Sequence, residues 1–261
     1  MLCGIFVLFL SASSLFGVVQ EMAYFRELAG HTASDTVFLL DIDDTLLVPA
    51  QMLGSDCWFD HRIKQREADG INFATALDKT LAEWQAVRHL TRMQLIESDI
   101  PEIIGSLQKK GVSIMGLTTQ QLALSCRTLS QLHDHQVDLS LTSVCNEDLC
   151  FSLKEHTMLY RKGILFTSGK SKGEAFFQFC EKIGYFPKRI VLIDDKLSHL
   201  ESMEKEAMKR GVEFVGLRYG FSDARKTAFS PAIADYQLAN STLMHLLSDQ
   251  EAEDRMQKQD Y

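Results

Sequence analysis

The stretch Val37-Phe38-Leu39-Leu40-Asp41-Ile42-Asp43-Asp44-Thr45 runs four apolar residues, suited to a buried parallel strand, straight into three carboxylates within four positions. Carboxylates crowded at a strand end repel one another and raise each other's pKa. A bound divalent cation removes that repulsion, and hard cations such as Mg²⁺ prefer carboxylate oxygens. In an open α/β sheet the carboxyl ends of the strands are also where ligands bind. Taken alone, the segment also reads as a strand followed by an Asx-stabilised turn. The rest of the chain decides between the two.

Three more apolar runs have the length and β-branched or aliphatic character of buried strands: Val112–Leu117, Arg189–Ile193 and Val212–Leu217. Helical patterns alternate with them. Pro101–Lys110 opens with proline and stops at Gly111, Glu174–Ile183 stops at Gly184, and Leu197–Arg210 stops at Gly211. Strands alternating with helices predict an α/β fold, three-layered and Rossmann-like, with a mostly parallel sheet. Residues 52–98 interrupt the alternation and read as helical, most clearly over Thr75–Glu97, so a small helical cap over the strand ends is expected. Leu149–Leu153 and Gly163–Phe166 are expected as a hairpin or extra strands. The division is then a core of residues 20–51 and 99–250, a cap of 52–98 and a flexible charged tail of 251–261.

The first charged side chain is Glu21, and Leu2–Val19 is apolar or small. Residues 1–19 resemble a secretory signal, although no Lys or Arg precedes the apolar core. A membrane anchor or a buried N-terminal helix are the other readings of that segment. Export to the periplasm or beyond is the expectation, with transient membrane contact through this segment. A net charge of −8 argues against nucleic acid as a dedicated partner. The six cysteines have no metal-binding spacing, and Cys145 and Cys150 are close enough in sequence to bridge in an oxidising compartment.

The acidic strand end is one of four recurring parts. Val112–Leu117 leads into Thr118-Thr119, which places a hydroxyl at the carboxyl edge. Ser168-Gly169-Lys170-Ser171-Lys172-Gly173 is a loop with two lysines at a helix start. Val191-Leu192-Ile193 ends in Asp194-Asp195. In type, order and spacing, Asp41–Thr45, Thr118, Lys172 and Asp194–Asp195 resemble the motifs of the haloacid dehalogenase-like (HAD) superfamily. The resemblance covers residues 36–220. Gly163–Gly169 and Asp194-Asp195-Lys196 look like a little-characterised exported bacterial branch, described as HAD-like or acid-phosphatase-like.

That resemblance implies a Mg²⁺-dependent phosphatase acting on a small phosphate ester. Asp41 would be the nucleophile, taking the phosphoryl group as an aspartyl-phosphate, and Asp43 the general acid and then base. Asp41, the main-chain carbonyl of Asp43, Asp194 and Asp195 would hold the metal, with Thr118 and Lys172 on the phosphate. Thr119 replaces Thr118 if the strand ends one residue later, and Lys170 competes with Lys172, which the helix start favours. Asp43 separates a phosphotransferase from a dehalogenase, which needs no such acid. A phosphotransferase or mutase, and an exported binding protein that keeps the fold without turnover, are the alternatives. Trp58, Asp60, His61 and Arg62 are placed to meet substrate or to pack the cap. Trp84 with Leu81, Val87 and Leu90 reads as a helix's core stripe. Thr45 is expected to tie the turn through its hydroxyl. His133 and His135 read as surface groups, and Arg218-Tyr219 as a strand end near the pocket.

Overall fold

A computed structural model of the chain describes residues 18–153, 155–242 and 245–259. Residues 1–17, which hold most of the expected leader, lie outside the described residues. The strands are β1 (Val18–Met22), β2 (Thr36–Leu40), β3 (Leu47–Pro49), β4 (Met93–Leu95), β5 (Ser113–Thr118), β6 (Leu149–Leu153), β7 (His156–Arg161), β8 (Ile164–Phe166), β9 (Arg189–Asp194) and β10 (Glu213–Tyr219). The α-helices are α1 (Asp56–Ala68), α2 (Phe73–Leu90), α3 (Ile100–Lys109), α4 (Ser125–Asp134), α5 (Lys172–Ile183), α6 (Leu197–Lys209), α7 (Asp223–Thr227), α8 (Pro231–Asn240) and α9 (Asp249–Gln259).

The fold is α/β around an eight-stranded sheet of order β1-β10-β9-β2-β5-β8-β7-β6. β1 through β8 in that order pair in parallel, and β6 and β7 close the edge as an antiparallel hairpin. β2 is fully buried, and its side chains alternate between two cores. Phe38 and Leu40 join Ile114, Val191 and Ile193 under α3 and the 3₁₀ helix Phe25–His31, while Val37 and Leu39 join Met115, Ile190 and Leu192 under α5 and α6. Burying apolar residues on both faces is what a central parallel strand requires, each contributing about 2 kcal/mol. From β2 the chain builds outward through β5 and β8, then returns to the other side of β2 with β9 and β10. The carboxyl ends of β2 and β9 therefore flank a topological switch point, where such sheets form their binding crevice.

Several boundaries differ from those read in the sequence. Val18 and Val19 belong to β1, paired with Val215 and Gly216, so a leader reaching residue 19 would take two residues from the sheet. The helix expected over Thr75–Glu97 stops at Leu90. Thr91 turns extended, with its N–H and hydroxyl both donating to the Val87 carbonyl, and β4 follows. β4 pairs antiparallel with β3, so the excursion carrying α1 and α2 leaves and returns through one two-stranded neck. Between the two strands expected near residues 149–166 lies a third, β7, paired with both.

The C-terminal segment is docked as far as Ala252, just inside the stretch expected as a tail, which continues as helix α9. Ala252 is fully buried, and Asp249 accepts from the Met52 N–H at 2.8 Å and from Gln237 at 2.8 Å. Gln237, itself buried, accepts from the Leu53 N–H at 2.9 Å. Ala234, Phe229 and Leu238 pack with Leu53, Trp58, Trp84 and Val87 in a core of their own. Residues 229–242 and 245–252 thus clasp the cap from outside. Their polar sequence conceals this, because most of the contacts are buried hydrogen bonds and small side chains.

Candidate functional site

Asp41 leaves β2 with its N–H still donating to the Ile193 carbonyl of β9 at 3.0 Å, which sets it beside Asp194 at the end of β9. Lys172, the first residue of α5, completes the group. It is entirely buried, with Nζ 2.6 Å from Asp41 Oδ1 and 2.5 Å from Asp194 Oδ2. Two local features aim it there. Ser171 caps α5, its side chain accepting from the Glu174 N–H. Gly173 lets α5 press on α6, since a Cβ at that position would lie 2.5 Å from the Ser202 carbonyl oxygen. Any larger residue beside Lys172 would lift the helix start away from the carboxylates.

Three of the surrounding acids have a cation of their own. Asp43 Oδ1 accepts from Arg88 Nη2 at 2.5 Å, Asp56 pairs with Lys196 at 2.5 Å, and Asp195 pairs with Lys226. Asp41 and Asp194 share the single ammonium of Lys172, which leaves one negative charge in excess at the switch point. Burial and the neighbouring Asp194 push Asp41 well above the usual carboxylate range, against the pull of Lys172. Burial also acts to raise Asp194, but Lys172 and His199 override it and hold its carboxyl down at about 2. Burial and the charge of Asp56 raise Asp44 to about 7, the Lys226 ammonium 3.9 Å away notwithstanding.

His199 stands on the first turn of α6 with Nδ1 3.0 and 3.1 Å from the two Asp194 oxygens. Asp41, Asp194 and His199 each offer a ligand atom, all within 4.8 Å of one another. Two carboxylates with surplus negative charge and one imidazole are a donor set that fits a divalent cation. Of the expected metal ligands, Asp41 and Asp194 lie in this cluster, while the Asp195 carboxylate pairs with Lys226 and that of Asp43 with Arg88.

Thr118 is buried at the end of β5, its hydroxyl accepting from the Gln120 N–H at 3.2 Å. Thr119, Lys170 and the left-handed pair Ser168-Gly169 face the same cavity of about 600 Å³, into which Asp41, Asp43 and His199 also open. Lys170 makes no contact with Asp41 or Asp194; Lys172 makes both. Thr45 is fully buried, but its hydroxyl has no partner among the described residues, and the turn is held by the Asp44 N–H donating to Leu47 and by the left-handed backbone of Asp44.

Residues that the sequence did not single out govern Asp43. Gln120 Nε2 donates to its Oδ2 at 2.7 Å, and Thr128 donates to Gln120 Oε1 at 2.6 Å. Arg88, from cap helix α2, lies over the Trp84 ring at 4.9 Å and is almost wholly buried. Nothing in local pattern marks Arg88, which sits in an ordinary amphipathic helix; only the folded neck brings it to Asp43. His61 binds Asp235 of the C-terminal clasp, Arg62 binds Glu83 within the cap, and Trp58 is fully buried. Arg218 pairs with Asp223 and Glu21, away from the cavity, while His135 contacts the Met93 carbonyl. Cys145 and Cys150 are free thiols in the structure.

Residues 19–253 match the family described as "Protein of unknown function (DUF2608)". The chain belongs to that family. Its relatives include a Chlamydia trachomatis protein named "Putative outer membrane protein", 23% identical over 239 residues, spanning 89% of this chain and 90% of the relative. A Chlamydia pneumoniae protein whose name begins with the same words is 26% identical over 237 residues and 89% of each chain. An uncharacterized protein of Rickettsia prowazekii is 22% identical over 213 residues, 74% of this chain and 73% of the relative. The match begins within β1 and ends within α9, so this DUF2608 member carries its core, cap and C-terminal clasp inside the family's own span. No helix among the described residues is long and apolar enough to cross a membrane.

Proposed function

We propose that the protein is a HAD-like phosphohydrolase that releases phosphate from a small phosphomonoester through an aspartyl-phosphate. The observation that carries the reading is the buried Lys172 ammonium shared by Asp41 and Asp194 at the sheet's switch point. A lone lysine buried against two carboxylates costs several kcal/mol in desolvation, which a purely structural site seldom retains.

Asp41 Oδ2, the oxygen Lys172 leaves free, attacks phosphorus as the ester P–O bond breaks. Asp43, carrying a proton on Oδ2 in place of the hydrogen bond from Gln120, delivers it to the departing alkoxide. Water then attacks the acyl phosphate and gives its proton to Asp43, releasing inorganic phosphate and restoring the Asp41 carboxylate. Lys172 and Thr118 stabilise the charge that spreads over the phosphoryl oxygens. Asp41, Asp194 and His199 would hold a divalent cation, Mg²⁺ or a similar ion, which when bound neutralises phosphate charge. Arg88 and Gln120 orient Asp43. Residence in the bacterial envelope, after export, accords with the names of the chlamydial relatives.

The test is phosphate release from 4-nitrophenyl phosphate by the full chain, with Mg²⁺ and with EDTA, beside Asp41→Asn and Asp43→Asn. Metal-dependent turnover lost in both variants, with unchanged melting, is the expected result. Turnover that survives in Asp41→Asn would overturn the mechanism.

A further inference from the structure

The cap side of the cavity carries a chemistry that phosphate recognition does not use. Helix α1 contributes Phe59 and Asp60, and α2 contributes Leu77, Asp78, Leu81 and Trp84. Leu77, Leu81 and Trp84 recur at helical spacing on one face, with Asp78 beside them. The Phe59 and Trp84 rings meet edge to face, centroids 5.9 Å apart at 74°, and so form an aromatic corner. Trp84 is only 7% exposed, with the Arg88 guanidinium over its ring at 4.9 Å.

Charge divides the cavity. Asp41, Asp43 and Asp56 are each matched to Lys172, Arg88 and Lys196, whereas Asp60 and Asp78 form no ion pair among the described residues. Lysines gather at the base: Lys172 behind Asp41, and Lys170 and Lys196 on the wall. The cavity thus has its lysines where a phosphate would sit, and carboxylates with aromatic and aliphatic side chains where the rest of the molecule would lie. Carboxylates beside aromatic rings are the surroundings that attract alkylammonium groups, quaternary ones above all.

Resting on the phosphohydrolase reading, we infer that the substrate is a zwitterionic aminoalkyl monophosphate of the phosphocholine type, its ammonium lodged against Phe59, Trp84, Asp60 and Asp78. Hydrolysis breaks the P–O ester bond as above, and the amino alcohol leaves with the proton from Asp43. A cavity of about 600 Å³ holds such a molecule with room for water.

The experiment compares kcat/KM of the full chain on phosphocholine and on 3,3-dimethylbutyl phosphate, its neutral carbon isostere. A preference of about tenfold for phosphocholine is expected. It should fall to near unity in Asp60→Asn/Asp78→Asn. Equal rates for the two substrates, or a preference that survives in the double variant, would overturn the inference. Titration calorimetry of both ligands against Asp41→Asn reads the same preference without turnover. Should the chain hydrolyse nothing yet bind phosphocholine about tenfold tighter, the phosphatase reading falls and the wall assignment stands; equal binding sinks the assignment.

Discussion

Arg88 Nη2 lies 2.5 Å from Asp43 Oδ1, so a side chain of the cap holds a carboxylate of the core. Arg88 also stacks on Trp84, whose ring lines the cavity. Contact with the cap wall and the position of Asp43 are therefore mechanically joined. Arg88→Ala should lower kcat on an aryl phosphate by about 10- to 100-fold with little change in KM, since Gln120 alone would hold Asp43. It should also destabilise the chain by about 3 kcal/mol, because a nearly buried carboxylate loses its partner. Asp43→Asn added to it should restore the melting temperature without restoring turnover. A normal kcat in Arg88→Ala would remove Arg88 from the mechanism.

His199 sets a second expectation. An imidazole beside two carboxylates suits Mn²⁺ better than Mg²⁺, which strongly prefers oxygen ligands. Calorimetry should find Mn²⁺ bound more tightly than Mg²⁺, with His199→Ala weakening Mn²⁺ by about tenfold and Mg²⁺ less. Electron spin echo spectroscopy of bound Mn²⁺ should show nitrogen coupling that His199→Ala abolishes. Its absence in the unmodified protein would reduce His199 to a residue that orients Asp194.

The cap's two helices are pinned by Glu83, which accepts from Arg62 at 2.9 Å and Arg66 at 2.8 Å. Burial acts to raise its carboxyl, but the two guanidinium groups prevail and hold it below its ordinary value of 4.5. A carboxylate depressed in the folded state binds fewer protons there than when unfolded. Its contribution is therefore complete above about pH 4.5 and lost as the pH falls through the lower folded value. Glu83→Gln should cost about 1 kcal/mol at pH 7, with partial exposure screening the pairs. The difference from the unmodified protein should shrink in chemical melts below pH 4. A gap that stays constant with pH would show that packing, not charge, makes the contribution.

The cysteines give a labelling pattern. Cys126 and Cys150 are exposed, whereas burial pushes the Cys180 thiol up to about 12. The thiolate is the reacting form, so at pH 8 maleimide should modify Cys126 and Cys150 in the folded protein and spare Cys180. In unfolded, unreduced protein both Cys145 and Cys150 should alkylate, as peptide masses would report. Protection of that pair would mean that the bridge suggested by their spacing forms.

Much of the site could be read before folding because its parts obey local rules. Apolar runs that stop at Asp41, Thr118 and Asp194 must be strands buried on both faces, and a parallel sheet collects their carboxyl ends on one edge. Lys172 stood out by preceding a glycine at a helix start, and Gly173 is where α5 touches α6. Arg88, Gln120 and His199 could not be found this way, since each is an ordinary polar residue until the chain brings it to Asp43 or Asp194. The C-terminal clasp was hidden for the same reason: Gln237 and Asp249 act through buried hydrogen bonds that no hydrophobic period records.

Periodicity and strand-end chemistry are properties of short segments, and they suffice to specify the α/β class and the acidic edge. How charge is apportioned is a property of distance in three dimensions. The folded chain gives Asp43 to Arg88, Asp56 to Lys196 and Asp195 to Lys226, and leaves Asp41 and Asp194 to share Lys172. Coulomb energy depends on separations of a few ångströms between groups far apart along the chain. The residue types announce an acidic centre, but only the packing of cap, core and clasp decides which carboxylates keep charge to spare.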